Sequence, residues 1–480
     1  MRIVVVGAGV GGLVAAVRLA AAGHRVVVHE RSAVIGGKLG RYARDGFSFD
    51  TGPSLLTLPQ VFDDLGLKLD PVALDPVVRH VFADGSVLDS SSDPDVFAAR
   101  IADAFGAGAA DDWRRLWRRA ARIWDASWRD VLRTPVDSPL ALAGLAWHLS
   151  DLAAIAPWAS LRGLGRRYLR DPRLRMLLDR YATYTGADPR RSPAALAAVP
   201  YAELAFDGWY LPGGLGTLAD ALRDRCTALG VEIVTDSAVT AVDAPDGRVR
   251  GVRLADGSVE PADVVVANAD ALTVYRDLLP TPSRLGGLGD RSLAGFVLLL
   301  GVRGSTPSLA HHTVFFPTDY DAEFDAVFGS PGRRARPAPD PTVFVTRAED
   351  PTVHPPGHEA WFVLVNAPRH GSAWSAVDWR RPGLADAYAD RILQVLAGRG
   401  LDVRDRLVFR ETRTPADLAD ATGAPGGAIY GTAGGLLRPA NRGPVDGLFL
   451  VGGSTHPGGG LPMVTLSAQI VAEAIGPSPS

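Results

Sequence analysis

Cysteine is almost absent from this chain of 480 residues, Cys226 being the only one. An intramolecular disulfide is therefore excluded, as is any zinc or iron–sulfur site built on cysteines, and a reducing cytosolic compartment is the default expectation. Lysine is nearly absent as well, Lys38 and Lys68 being the only ones, so arginine carries almost all the positive charge. Acidic and basic residues nearly cancel to a net charge of −3, which gives no general attraction for nucleic acid. Long apolar runs are missing too. No stretch reaches the roughly 18–20 residues of a membrane span, so a bilayer could be met only from one side. Internal repeats and heptads are also lacking. What remains, 47% hydrophobic and 21% charged residues, suits about two to three globular domains with sizeable cores.

The most informative stretch is the first: MRIVVVGAGVGGLVAAVRLAAAGHRVVVHER. Ile3 to Val6 has the length and β-branched content of a buried parallel strand. It breaks at Gly7-Ala8-Gly9-Val10-Gly11-Gly12, and a helical Leu/Ala pattern follows to Ala22. Gly23 supplies a stop, Arg25 to Val28 reads as a second strand, and Glu30 stands 23 residues after Gly7. Glycine is common here, at 53 residues, so the G-x-G-x-x-G spacing alone means little. With strand, helix and acid all in place it becomes a dinucleotide-binding βαβ unit. Gly7 permits the turn, Gly9 lets a pyrophosphate approach, Gly12 lets helix and strand pack closely, and the helix N-terminus offers unpaired N–H groups. Glu30 would accept from a ribose hydroxyl, which argues against a 2′-phosphate and hence against NADP. The segment is used up by this unit, so it is not expected to act as a signal peptide.

Two further glycine-rich stretches decide which dinucleotide. Gly36-Gly37-Lys38 follows the first unit and suits a longer cofactor lying along the backbone. Near the other end, a strand at Leu448 to Val451 runs into Gly452-Gly453-Ser454-Thr455-His456-Pro457-Gly458-Gly459-Gly460, with a helix starting near Met463. NAD has no need of a second cradle, whereas FAD, with a reactive ring at its far end, does. No second NAD-type unit is present.

Residues from about 91 to 205 are mostly helical in pattern. In Asp111 to Leu132, Trp113, Trp117, Trp124 and Trp128 share one narrow face, and Arg114, Arg115, Arg118, Arg122 and Arg129 lie opposite. Such a helix is either a surface helix with a Trp-rich core face or an interfacial one, with its apolar face among acyl chains and arginines on anionic head groups. Leu140 to Leu169, with Trp147, Trp158, Arg162, Arg166 and Arg167, is a second candidate of that kind. The chain then returns to nucleotide-domain strands between about 231 and 267, leaves from about 271 to 414, and ends in a tail, Gly476 to Ser480, expected to be disordered.

Taken together, the motifs resemble the bacterial phytoene desaturase family of flavin-dependent carotenoid desaturases. Beside the glycine units, the resemblance rests on Phe49-Asp50-Thr51-Gly52-Pro53, Trp209-x-x-Pro212-Gly213-Gly214, His311-His312-Thr313-Val314-Phe315-Phe316, Thr414-Pro415-Ala416-Asp417, Ala428-Ile429-Tyr430-Gly431 with Arg438-Pro439, and Gly452 to Pro462. Arg180-Tyr181-Ala182-Thr183-Tyr184-Thr185-Gly186 is more similar to the branch acting on hydroxylated or methoxylated neurosporene. The resemblance implies an α/β fold with a Rossmann-like, glutathione-reductase-type FAD domain made discontinuously from 1–90, 205–270 and 415–475. An α+β substrate and membrane-facing domain would comprise 91–204 and 271–414. It implies hydride transfer from a long polyene to FAD, peripheral attachment to the cytoplasmic membrane face, and oxygen or a quinone as final acceptor. It also favours the interfacial reading of the Trp/Arg helix.

The expected cofactor-binding residues are Gly7, Gly9, Gly11, Gly12, Glu30 and Arg31, then Gly36, Gly37, Lys38, Asp50, Thr51, Gly52 and Pro53. Val239 joins them by family analogy, and Gly453, Leu461, Pro462 and Met463 would lie beside the flavin. No metal is called for. Proton acceptors could be His456, Glu203, Asp207, His311 or His312, although a conjugated substrate that delocalises charge needs little dedicated acid–base machinery. Other flavin enzymes on this scaffold (amine oxidase, protoporphyrinogen oxidase, polyene isomerase) and a non-catalytic prenyl or lipid carrier are the alternatives.

Overall fold

A computed structural model describes residues 1–136, 155–156, 158–433 and 438–478. Its organising layer is a five-stranded parallel sheet in the order Glu232–Val234, Arg25–His29, Arg2–Val6, Val264–Ala267 and Leu448–Leu450. Parallel strands covered on both faces need near-continuous apolar sequence, and Ile3, Val4, Val5, Val28, Val265 and Val266 are all fully buried. One face carries the helices Val10–Ala21, Gly216–Ala228 and Leu461–Ile475. The other carries an antiparallel sheet of Val239–Asp243, Gly251–Leu254 and Val259–Pro261, with the helical segment 271–278. The sheet is thus assembled from segments hundreds of residues apart.

A second, mostly antiparallel sheet has seven strands, ordered Leu407–Arg413, Ala294–Arg303, His358–Ala367, Val343–Arg347, His312–Phe315, Arg79–Val81 and Val87–Asp89. Helix Leu384–Gly398 covers one side through Tyr388, Ile392 and Leu396. The hairpin Arg41–Arg44/Phe47–Asp50 packs Phe47 and Phe49 against Val297, Leu299 and Phe362. A helical layer built from 94–132 and 161–205 closes over Val314, Phe316 and Phe324. Residues 79–89 therefore belong with this sheet, and the chain leaves the nucleotide unit before residue 79, not at 90. These strands are only three residues long; Arg79–Val81 pairs in parallel with His312–Phe315, a partner remote in sequence, and Val87–Asp89 pairs antiparallel with Arg79–Val81 at the sheet edge.

The Trp/Arg helix runs over Ala107–Ser127 and continues as a π turn, Trp128–Leu132. Its tryptophans face the core. Trp113 is 3% exposed and sits edge-on to Phe97, Trp124 is 7% exposed and packs on Trp128 and Phe206, and Trp117 lies on Tyr201 with ring centroids 4.7 Å apart. The interfacial reading of this face is thereby corrected, because the acyl-chain side it would need is already covered by protein. The helix also starts earlier than Asp111: Asp112 is buried and takes hydrogen bonds from the Arg170 backbone and side chain at 2.9–3.0 Å. Of the second candidate, residues 140–154 and 157 lie outside the described residues. Trp158 is exposed, and Ser160 caps the helix Leu161–Tyr168.

The expected loose tail is also corrected as far as Ser478. His24 Nε2 meets Gly476 O at 2.8 Å and Ser478 N donates to Ala22 O at 2.9 Å, which ties the segment to the end of the first helix.

Candidate active site

The first strand ends at Val6, and Gly7 turns the chain with φ +97°. A Cβ on Gly12 would lie 2.1 Å from Gly7 O, so helix Val10–Ala21 can approach the strand this closely only through glycine. The residue preceding that helix, Gly9, supplies no side-chain cap, which leaves the N-terminal N–H groups for a ligand. Glu30 is buried at the edge of the turn and accepts from Ala8 N at 2.7 Å and Ser32 N at 2.9 Å. The segment leading to Val239 runs alongside it, Ser237 N donating to Glu30 O.

The other glycines converge on this turn. Gly36 N donates to Ala8 O, and a Cβ on Gly37 would be 3.2 Å from Gly9 Cα. A Cβ on Gly11 would be 3.2 Å from Gly452 Cα, so the two cradles from opposite ends of the chain touch. Gly453 packs on Gly459, and Leu461, Pro462 and Met463 open the helix Leu461–Ile475 behind Gly460, again with no side-chain cap. Between the cradles stands Asn268, whose amide would contact a Cβ on Gly9, Gly11 or Gly452 at 2.7–2.8 Å. Sequence reasoning passed over it. Its position just past a strand neighbouring Arg2–Val6 was the available signal, since ligands of such sheets gather at strand carboxyl ends.

The other expected contacts divide. Lys38 Nζ reaches the carbonyls of Ala428 at 3.1 Å and Ile429 at 2.5 Å, and burial pushes its ammonium down to about 8. Close by, Arg291 and Asp270 form a buried ion pair, while Arg438, pushed down to about 10 by burial and by Arg291, donates to Thr432 Oγ1 and Tyr430 O. Asp270 is the carboxylate that faces Lys38 and Arg291, so this corner has an excess of positive charge. Arg291 Nε and Nη1 are buried without a partner. Orphaned cationic donors beside two glycine turns fit the phosphates of a dinucleotide.

Asp50, by contrast, accepts from Leu215 N and Gly216 N at 2.8 and 2.9 Å and fixes the start of helix Gly216–Ala228. Burial raises its pKa. Thr51 N bonds Gly40 O, Gly52 leaves no room for a Cβ against Lys38 O, and Pro53 is exposed. Thr51 and Gly52 thus pack against the Lys38–Gly40 end of the loop. Arg31 turns away altogether, donating to Asp420 O.

The candidate proton acceptors are scattered. His456 is buried, with Nε2 at 3.0 Å from both Val131 O and Thr134 O, so its N–H ties the C-terminal turn to the end of the Trp helix. Asp207 sits in a turn with φ +61°. His311, pushed down to about 4 by burial and Arg347, lies 4.6 Å from the rings of Tyr210 and His312. His312 contacts Ser54 Oγ at 3.3 Å and is also held neutral by burial. Glu203 is buried in the helical layer, accepting from Tyr181. No group of three or more His, Cys, Asp or Glu able to hold a metal ion occurs among the described residues.

Residues 10–294 match the family described as flavin containing amine oxidoreductase. The chain is 34% identical to a 4,4'-diapolycopene oxygenase of a Methylomonas species, over 99% of this chain and 98% of that one. It is also 34% identical to a hydroxyneurosporene desaturase of Cereibacter sphaeroides, over 99% and 97%. Among solved structures, an oxidoreductase from Methanosarcina mazei superposes with a TM-score of 0.65 at 17% identity, covering 98% of this chain and 100% of that one, which is a likeness of fold. By this match over more than half of its length and these full-length relatives, the chain belongs to the flavin-containing amine oxidoreductase family and is an FAD-dependent oxidoreductase.

Proposed function

We propose that this protein is a desaturase of long acyclic isoprenoid polyenes, working peripherally on a membrane and passing electrons to oxygen or a quinone. The observation that carries the reading is the contact of Gly11 with Gly452, which brings both cradles to one place beside a helical layer lined with apolar side chains. The names of full-length relatives, including a phytoene dehydrogenase and two hydroxyneurosporene desaturases, support it.

Bound flavin would supply a two-electron acceptor for a hydride from an allylic carbon, while the neighbouring carbon gives up a proton that passes to water and the C–H electron pair becomes the new double bond. The chain's part is to bind and orient. Glu30 holds the ribose, the turns at Gly7–Gly12 and Gly36–Lys38 follow the pyrophosphate, and Arg291 and Lys38 balance its charge. Val239, Gly453, Leu461, Pro462 and Met463 border the rings, and Asn268 spaces the two cradles. The FAD unit is drawn from 1–75, 208–278 and 438–475, and the helical layer with the second sheet holds the substrate. At roughly 0.8 kcal/mol per buried methylene, a polyene is drawn straight from a bilayer. Among the described residues no helix is long and apolar enough to cross one.

The test is to identify the released cofactor of detergent-purified protein and then follow product masses from carotenoid precursors in liposomes. Loss of two hydrogens per step supports the proposal. Unchanged mass means isomerisation and an added oxygen means oxygenation, as relatives named oxygenases suggest; either refutes it.

A further inference from the structure

Within the helical layer, four polar side chains meet in apolar surroundings. Helix Pro172–Arg180 leads into the turn Tyr181–Thr185, and helix Ala198–Ala205 packs beside them. Tyr181 donates to Glu203 Oε1 at 2.7 Å, and Arg180 donates to the Tyr184 hydroxyl. The Arg180 guanidinium lies 5.0 Å from the centroids of both tyrosine rings. Arg180 is 3% and Glu203 2% exposed, and the walls include Leu178, Ala202, Leu204 and Phe316.

Two atoms of this cluster are shut off from solvent and make no hydrogen bond: Arg180 Nη1 and Glu203 Oε2. The Tyr184 hydroxyl reaches both residues, and Arg180 and Glu203 lie within electrostatic range of each other, yet Nη1 and Oε2 are left over, which is rare for buried charged groups. The pair selects its occupant by chemistry. A carboxylate would be repelled by Glu203 and an ammonium by Arg180, while a carbonyl could satisfy only the arginine. A hydroxyl satisfies both, accepting from Nη1 and donating to Oε2. The surroundings require that everything attached to that hydroxyl be apolar.

The cluster is also close to the proposed flavin end. Gly186, directly after the turn, has room for no Cβ between Ser292 and the Tyr430 ring, and that same ring packs on Gly459 of the C-terminal cradle. Arg438 reaches Thr185 O at 3.5 Å. We propose that Arg180 and Glu203 form a hydroxyl-recognition site that seats the hydroxylated end of the long apolar substrate, presenting a bond near that end for oxidation. This inference rests on the polyene reading above.

The experiment uses the full-length, flavin-loaded protein and two acyclic polyenes of equal length, one carrying a terminal hydroxyl and one not, in phosphatidylcholine liposomes. The ratio of their kcat/KM values is expected to favour the hydroxylated chain by roughly 10- to 100-fold, the value of a hydrogen bond to a charged group. In Glu203→Gln the ratio is expected to fall toward one with the flavin spectrum retained. Should that variant misfold, Arg180→Lys is read in the same way. A wild-type ratio near one overturns the site, which then holds only water, and leaves the polyene reading standing. Equal losses on both substrates in the variant also overturn it, since they mark a purely structural role. If neither polyene loses hydrogens, the polyene reading itself fails and this inference with it.

Discussion

Replacing Gly12 by alanine tests the cofactor cradle where its geometry is tightest. The added Cβ would sit 2.1 Å from Gly7 O, roughly 1 Å closer than a carbon tolerates against a carbonyl oxygen. That oxygen cannot retreat, because Gly7 N is held by His29 O and the strand behind it is buried in the five-stranded sheet. The helix must therefore move by about 1 Å, at an overpacking cost of about 1–3 kcal/mol. Its N-terminal N–H groups move with it, and a misplacement of about 1 Å in a positioned group is worth on the order of 100-fold. FAD affinity, read from flavin fluorescence during titration of apoprotein, is expected to drop by about that factor. Gly257→Ala is the control: its φ of +87° strains an alanine, but nothing lies within 4 Å of the added carbon, and it should keep wild-type affinity. FAD affinity within threefold of wild type in Gly12→Ala would refute the assignment of this turn.

Trp124→Ala should cost about 3–5 kcal/mol in denaturant unfolding, as for a large core side chain, with liposome association no weaker than wild type in a flotation assay. Asp112→Ala leaves Arg170 and Arg115 without their shared carboxylate, but both arginines are partly in water, so a loss of about 1–2 kcal/mol is expected. Lys38 gives a pH signature. Its folded pKa of about 8 lies below the ordinary lysine value, so between about 8 and 10.5 the unfolded chain binds more protons than the folded one. Its contribution to apoprotein stability therefore rises with pH across that window, and Lys38→Met should flatten this part of a melting-temperature profile.

Local features were the legible ones. The turn at Gly7–Gly12, Glu30 after the second strand and the late glycine run each reveal themselves within about thirty residues, because each requirement is set by the chain's own backbone. Contacts made across the fold were not legible. Asn268, the Arg291–Asp270 pair and the facing of Arg180 with Glu203 depend on which distant segments become neighbours. Arg31 looked like part of the cradle only because it follows Glu30; its reach to Asp420 is set by a helix nearly 400 residues later. The tryptophan stripe shows another limit. Amphipathic spacing separates two faces of a helix, but it does not say whether protein or lipid covers the apolar one, and Phe97, Tyr201 and Phe206 supply that cover.

The strand order has a consequence for how the protein is made. The N-terminal strand is synthesised first yet lies at the middle of its sheet, and its neighbour at Val264–Ala267 waits for the edge strand Leu448–Leu450. Gly452, which completes the paired cradle against Gly11, is made more than 400 residues after it. A growing chain consequently has only half of the paired cradle until that segment is made. The cofactor then acts as a checkpoint on the late segment: a chain cut short before about residue 448 has both large cores under way, but an incomplete place to keep its redox group.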